Sequence, residues 1–499
     1  MKKVKYLGID FGSSNTVVTA MTEDEEIYIF AVDGVKAEFE SVAVMVKKAG
    51  TNEYDEFYAH AYIDGYEAAK NGKRSLKLRN KLKENIKEYD IKKLCKGYFA
   101  FLVKSLNDIN EDANFPIDLS DLDKATVCFG YPAYYEDRES EEYCEIMREL
   151  ISGAFGCKEE NIKCAEEPVL AAYAYNYVNQ DRFLNDIEKS PLQNGTNLLI
   201  LDFGGHTLDI GIMTAGIDED NNKITLSQIT KSKSFKSKIS LGKHITVELG
   251  KALSDDDERY FDWEIDKAKC ELFGFGDDGY ERRKVRKLSQ RGVWFDLTYR
   301  ADDSGSSADD VKHISLEDIG IDGMLDSLVS RVHAFLEKNF DGQIGAILYA
   351  GGASKMKPLR DRIRLGISEF CVPNVVECSL DDKEHSEDSR CKKLRKVVSE
   401  YISDEGANPP LSSMNGVALG ALLMASGKCE ASEVSYYQSK STDPENRRVL
   451  EENDILKDQI EQLENDKNKL TQNLSYYRLR INEKDKEINK LRLIINEKR

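Results

Sequence analysis

The sequence never spaces two cysteines as C-x-x-C, although it holds ten of them, and Cys128, Cys144 and Cys371 lie inside apolar segments. Reduced core thiols are therefore expected, in place of a disulfide framework or a zinc site. The six histidines show no ligand spacing either. No stretch approaches the ~18 consecutive apolar residues of a membrane span. No apolar leader with a cleavage site is visible, since the first strand-like run starts within a few residues of Met1. Positive charge is in deficit: 71 Lys and Arg against 90 Asp and Glu leave a net charge of −19. That balance argues against direct binding of nucleic acid or an anionic membrane, both of which need a basic footprint. With 499 residues, 40% of them apolar, two or more domains are expected, in a soluble and cytoplasmic protein.

What the sequence does have is Asp-Phe-Gly twice. An apolar run, Tyr6-Leu7-Gly8-Ile9, delivers Asp10-Phe11-Gly12-Ser13-Ser14-Asn15-Thr16; a second, Leu199-Ile200-Leu201, delivers Asp202-Phe203-Gly204-Gly205-His206-Thr207-Leu208-Asp209. In both, alternation of apolar and polar residues resumes afterwards, which predicts strand, tight turn, strand. Glycine allows an anion to approach the backbone closely. Free N–H groups and the hydroxyls of Ser13, Ser14 or Thr207 are then able to surround phosphate oxygens. An Asp beside each turn suits Mg²⁺, which takes few protein carboxylates and keeps several waters. One Asp-Phe-Gly is an ordinary β-turn tripeptide; two in matched contexts point to a phosphate and metal clamp.

Further strands are expected at Ile27–Phe30, Val42–Val46 and Ala125–Gly130, with a polar helix from about Ser75 to Leu106. A helix over Glu139–Ile151 carries Tyr143, Ile146, Met147, Leu150 and Ile151 at helical spacing, and another starts at Glu167-Pro168. From Asn197 the pattern repeats. A helix is expected over Asp322–Lys338, a strand over Ala346–Ala350, a turn at Gly351-Gly352-Ala353-Ser354-Lys355, a helix over Pro358–Phe370 and a strand over Asn374–Glu377. Strand, helix, strand in that order implies a parallel crossover. Solvated loops are expected at 301–307 and 381–388.

After a linker the composition changes. Read as heptads, Val449, Leu456, Leu463, Leu470, Tyr477, Lys484 and Leu491 share one seam position, and Asn453, Ile460, Lys467, Leu474, Ile481, Ile488 and Ile495 the other. Self-association, or capture of a partner helix, is expected through residues 449–499; a lone charged helix packed on the globular part is the alternative. The expected division is 1–196, 197–429, a linker at 430–448 and a coiled coil at 449–499.

With these residues set out, the chain up to about residue 430 resembles the nucleotide-binding domain of the heat-shock 70 chaperones, within the superfamily of actin, bacterial actin-like filament proteins and sugar kinases. Gly8 to Thr16 looks like the first phosphate loop of that family and Leu201 to Ile210 like the second. Thr126 to Tyr135 is similar to the strand that leads to its Pro-Ala-Tyr. Glu166-Glu167-Pro168-Val169-Leu170-Ala171-Ala172 resembles its first connecting helix, and Gly416-Val417-Ala418-Leu419-Gly420-Ala421 its second. Ala350 to Met356 sits where the family has its adenosine turn. The resemblance implies an α/β fold of the two-lobed, actin-like ATPase type, built from duplicated ribonuclease H-like domains, binding ATP or ADP with Mg²⁺.

Carried over, the resemblance implies that Asp10 and Asp202 organise Mg²⁺, that Glu167 orients the attacking water, and that Ser13 and Thr207 donate to phosphate oxygens. The catalytic lysine maps to Lys77, with Lys73 close by. The nucleotide would also meet Gly12, Ser14, Asn15, Gly204, Gly205, His206, Gly242, Asp266, Lys269, Gly351, Gly352, Ala353 and Ser354. The sequence departs from the family at His206, which replaces a glycine, and at Cys270 and Phe273, where the adenine helix of the chaperones carries arginine and serine. Residues 430–499 do not resemble the peptide-binding domain and lid of those chaperones. The resulting expectation is a slowly hydrolysing, ATP-dependent conformational switch that couples to its coiled coil. An actin-like filament protein and a catalytically silent nucleotide-sensing scaffold are the alternatives.

Overall fold

The structure, a computed structural model, describes residues 2–429 apart from internal segments, the longest being 59–73, 79–89, 254–261, 274–283, 299–310, 382–389 and 398–411. The chain divides into two compact units, Met1–Tyr436 and Tyr437–Arg499. The expected linker and coiled coil lie outside the described residues, as do His206 and Lys73.

The elements run β1 (Lys2–Phe11), β2 (Asn15–Thr22), β3 (Ile27–Phe30), β4 (Glu38–Glu40), β5 (Val42–Lys47), β6 (Tyr54–Tyr58), β7 (Arg74–Lys77), α1 (Ile91–Glu111), β8 (Ile117–Asp118), β9 (Thr126–Tyr131), α2 (Asp137–Phe155), β10 (Ile162–Glu166) and α3 (Glu167–Asn185). They continue with β11 (Asn197–Phe203), β12 (Thr207–Asp218), β13 (Lys223–Lys236), α4 (Leu241–Leu253), α5 (Asp262–Phe273), β14 (Lys284–Leu288), β15 (Trp294–Thr298), β16 (Val311–Ser315), α6 (Ile321–Asn339), β17 (Ile344–Ala350), α7 (Lys357–Gly366), β18 (Cys371–Ser379), β19 (Leu394–Val397) and α8 (Gly416–Ala425). The fold is mixed α/β. Among the described residues no helix is long and apolar enough to cross a membrane.

Two mixed sheets share one topology. In the first, β2 and β3 follow β1 antiparallel, while β9 and β10 add in parallel on its other side. In the second, β12 and β13 follow β11 antiparallel, and β17 and β18 add in parallel. The hairpins match in register as well: Phe11 faces Thr16, and Phe203 faces Leu208. Each sheet also has a helix between its two parallel strands, α2 or α7, and another following the last of them, α3 or α8. The repeat expected from Asn197 onwards is therefore a repeat of strand pairing.

Alternation along the strands sorts side chains into layers. Leu7, Ile9 and Phe11 face Tyr98, Phe99 and Leu102 of α1 and Met147 and Leu150 of α2. Leu199, Leu201 and Phe203 face the cluster of α4, α5, α6 and α7. The opposite strand face, Leu198 and Ile200, shares a core with α3, α8 and the first-sheet residues Met21 and Ile29. Helix α8, Gly-Val-Ala-Leu-Gly-Ala-Leu-Leu-Met-Ala, is apolar all round and buried along its whole length, as such a helix must be. It packs on β1, β9 and β2 of the first sheet, whereas α3 packs on β11, β12 and β13 of the second. Each half thus lends its last helix to the sheet of the other.

Two expectations need correction. In the segment foreseen as helix from Ser75, Ser75 to Lys77 instead form β7, paired antiparallel with β5, because that short segment closes the edge of a three-stranded sheet; residues 79–89 lie outside the described residues, and α1 covers Ile91 onwards. Helix α7 ends at Gly366, and Ser368–Phe370 is a separate 3₁₀ turn. In addition, β19 pairs with β3, so a strand from the 197–429 segment completes the first sheet.

The packing of α8 depends on missing side chains. A methyl group at Gly420 would overlap the carbonyl oxygen of Leu170 in α3, and one at Gly8 would overlap Ala418 O and Leu422 N of α8. Backbone atoms cannot rotate away, so Gly420→Ala is expected to cost at least roughly 3 kcal/mol, the upper range for overpacking. Gly153→Ala, in an exposed part of α2 with open space around it, should gain about 0.5–1 kcal/mol. Urea denaturation of both variants checks the pair: similar midpoints would contradict this packing.

Candidate functional site

The first turn is held from behind by a buried hydroxyl chain. Gly12 N donates to Asn15 O (2.8 Å), and Ser41 N donates to Ser14 O (2.9 Å). Tyr98 OH donates to Thr16 Oγ1 (2.8 Å), which lies 2.8 Å from Ser41 Oγ. Desolvation in this fully buried position raises the Tyr98 phenol's pKa, so it remains a neutral donor. Strand β7 joins the same network, with Lys77 paired to Val42 and Leu78 N donating to Ser41 O (3.1 Å). Lys77 therefore occupies a register position beside the residue that braces the first turn.

The second turn meets the first directly. A methyl group on Gly205 would overlap Ser14 Oγ and lie 2.8 Å from Ser13 Oγ. Ser13 is buried there, and Asp202 is 5% exposed. Gly351 stands against Asp202: a methyl group on it would lie 2.6 Å from Asp202 Oδ1, and its φ of 76° favours glycine. Gly351 O accepts from Ser354 Oγ (2.6 Å), while Gly351 N donates to Ser413 O (3.2 Å). The structure thus gathers Ser13, Ser14, Asp202, Gly205, Gly351 and Ser354 into one contiguous set.

Lys269 and Gly242 form a neighbouring group. Lys269 Nζ donates to Gly242 O and to Thr246 Oγ1, both at 2.9 Å, tying α5 to the first turn of α4. Helix α4 packs against the Gly352–Lys355 3₁₀ turn. Asp266 lies three residues before Lys269 on α5, and Phe273 is buried at the end of that helix. Thr207 opens β12 opposite Lys236.

Glu167 starts α3, with Pro168 in the first turn, where the helix dipole favours a carboxylate. It is 5% exposed and packs against Gly130 at the end of β9. Two carboxylates with no role assigned from the motifs lie in the same region. Asp209 is fully buried and accepts from Ala133 N (3.1 Å), joining the Pro132-Ala133 loop of the first sheet to the second hairpin. Glu166 accepts from Gln228 Nε2 (2.8 Å) and Ser232 N (3.3 Å). Asp209 is legible in the sequence as a conspicuous carboxylate after Thr207-Leu208; Gln228 and Ser232, far along β13, carry no such signal.

Among the described residues, no group of three or more His, Cys, Asp or Glu is placed to hold a metal by itself. Asp10 and Asp202 occupy equivalent positions at the ends of β1 and β11. Hard oxygen donors, one beside each glycine-containing turn, suit Mg²⁺ completed by phosphate and water, and do not suit zinc. No protein-family model matches the chain.

Burial raises the Glu166 carboxyl above its ordinary pKa, aided by the Asp209 charge and opposed by hydrogen bonds from Ser232 and Gln228. A carboxyl raised on folding binds more protons in the folded chain, so its unfavourable contribution sets in as pH rises through the folded pKa. The stability of the wild type relative to Glu166→Gln should therefore increase as pH falls from neutral through the folded-state pKa into the ordinary carboxylate range. Denaturant midpoints of both proteins across that range test this; a difference that shrinks or stays flat would contradict it.

Proposed function

We propose that residues 1–429 form a two-lobed, actin-like nucleotide-binding domain of the heat-shock 70 type, which binds ATP or ADP with Mg²⁺ between the two Asp-Phe-Gly turns and hydrolyses ATP slowly. The observation that carries this reading is the meeting of two topologically equivalent hairpins at Gly205, Ser13 and Ser14. A ligand with several negatively charged groups would bind both turns at once.

In this reading the backbone N–H groups of residues 13–15 and of Gly204 and Gly205, with the hydroxyls of Ser13 and Thr207, hold phosphate oxygens, while the Gly12 N–H closes the first turn on Asn15 O. Asp10 and Asp202 hold Mg²⁺, which supplies charge neutralisation of the phosphates. Glu167 orients the attacking water from a rigid helix start, and Lys77 contributes positive charge from β7. Gly351 to Ser354, with Gly242, Asp266 and Lys269, take the nucleoside end. Positioning and charge neutralisation account for most catalysis in phosphoryl transfer. Because the ligand spans both turns, it favours whichever arrangement brings them together, and residues 449–499 pass that change to a partner helix or a second copy.

Calorimetric titration with Mg-ATP, followed by steady-state phosphate release, tests the proposal. Binding with slow multiple turnover is expected, and Asp10→Ala and Asp202→Ala should each lower turnover by on the order of 10²-fold. Tight binding without turnover would favour the silent scaffold. No binding, or unchanged turnover in both variants, would overturn the site assignment.

A further inference from the structure

The nucleotide reading leaves a polar sulfur cluster between α2 and β10 unused. On α2, Cys144 and Arg148 are four residues apart and so share one face. On β10, Ile162 and Cys164 are two apart and share one face of the strand. The two faces meet: Arg148 Nη2 lies 3.4 Å from Cys164 Sγ, Arg148 Nε donates to Ile162 O at 3.4 Å, and Cys164 packs against the core cluster that contains Cys144. Cys144 is 5% exposed, whereas Cys164 and Arg148 are half-buried, so a small reagent reaches Cys164 first.

We propose that Cys164 and Cys144 form a peroxide-sensitive dithiol, with Cys164 as the attacking thiolate, Cys144 as the resolving thiol and Arg148 as the residue that holds the thiolate. The neighbouring Cys144 thiol and the Arg148 guanidinium lower the pKa of Cys164, whereas the pKa of Cys144 is raised. The nearby Cys128 thiol is pushed up to about 12 by burial, so it stays protonated. The Cys164 thiolate attacks the hydroperoxide O–O bond; an S–O bond forms, the O–O bond breaks, and the departing oxygen leaves as an alcohol or water after taking a proton. The Cys144 sulfur then attacks the sulfenic sulfur. An S–S bond forms, and the hydroxyl leaves as water with the Cys144 proton. Overall, two thiols and one hydroperoxide give a disulfide, an alcohol (water when the hydroperoxide is hydrogen peroxide) and water. The bond would tie α2 to the strand that ends at Glu166.

The test uses the full-length chain, exposed to hydrogen peroxide, unfolded in the presence of N-ethylmaleimide, and mapped by peptide mass spectrometry. A peptide pair joined through Cys144 and Cys164, and released by dithiothreitol, is expected. In Cys144→Ser, dimedone should label Cys164. In native protein near neutral pH, Arg148→Gln should slow alkylation of Cys164 by about tenfold. Alkylation of Cys164 no faster than that of the buried thiols, or a link from Cys164 to Cys128 in place of Cys144, would overturn the proposal.

Discussion

The close approach of α8 to α3 and to β1 is the constraint on which the rest of this structure depends. At Gly420 the backbone of α8 touches the Leu170 carbonyl, and at Gly8 the first strand touches α8 in turn. Thr19 Oγ1 donates to Ala418 O (2.9 Å) across the same contact. Larger residues at these positions would hold the helices and strand apart. The two sheets share the core between them, so a wider spacing there would also separate their hairpins. Contact between Gly205 and the Ser13-Ser14 turn thus has its origin in small residues buried in the helical layer behind it.

The turns themselves are held by polar groups buried deeply enough to be fixed. The Tyr98, Thr16 and Ser41 hydroxyls support the first turn, and Ser41 also carries the β7 edge through Leu78. The fully buried Asp209 carboxylate holds the Ala133 backbone against the second hairpin. Leaving any of these groups without its partner would cost the desolvation of a buried polar atom, about 1–3 kcal/mol each. A site that binds a flexible polyanion gains from such rigidity, because less ordering remains to be done on binding.

Much of this is legible in the sequence for a definite physical reason. An apolar run ending in Asp-Phe-Gly, with alternation resuming after the turn, marks both hairpins, and Pro168 marks the start of α3, because these signals are local. The edge strand β7 reads as helix in the sequence because a short charged segment has no distinctive period; its pairing with β5 decides its form. Likewise β19 belongs to the first sheet through its pairing with β3, more than 360 residues away in sequence, of which its own residues give no sign. The contact of Gly205 with Ser13 and Ser14, and the role of Gln228 and Ser232 in holding Glu166, are also tertiary facts. The motif residues name the chemistry, and the packing decides which of them meet.

If the two hairpins form one ligand site, they should respond to one ligand together. Amide hydrogen exchange of the full-length protein, with and without Mg-ATP, measures this directly. Slowed exchange in both 10–16 and 202–209 is the predicted result. Protection confined to one hairpin, or absent from both at saturating nucleotide, would contradict a shared site.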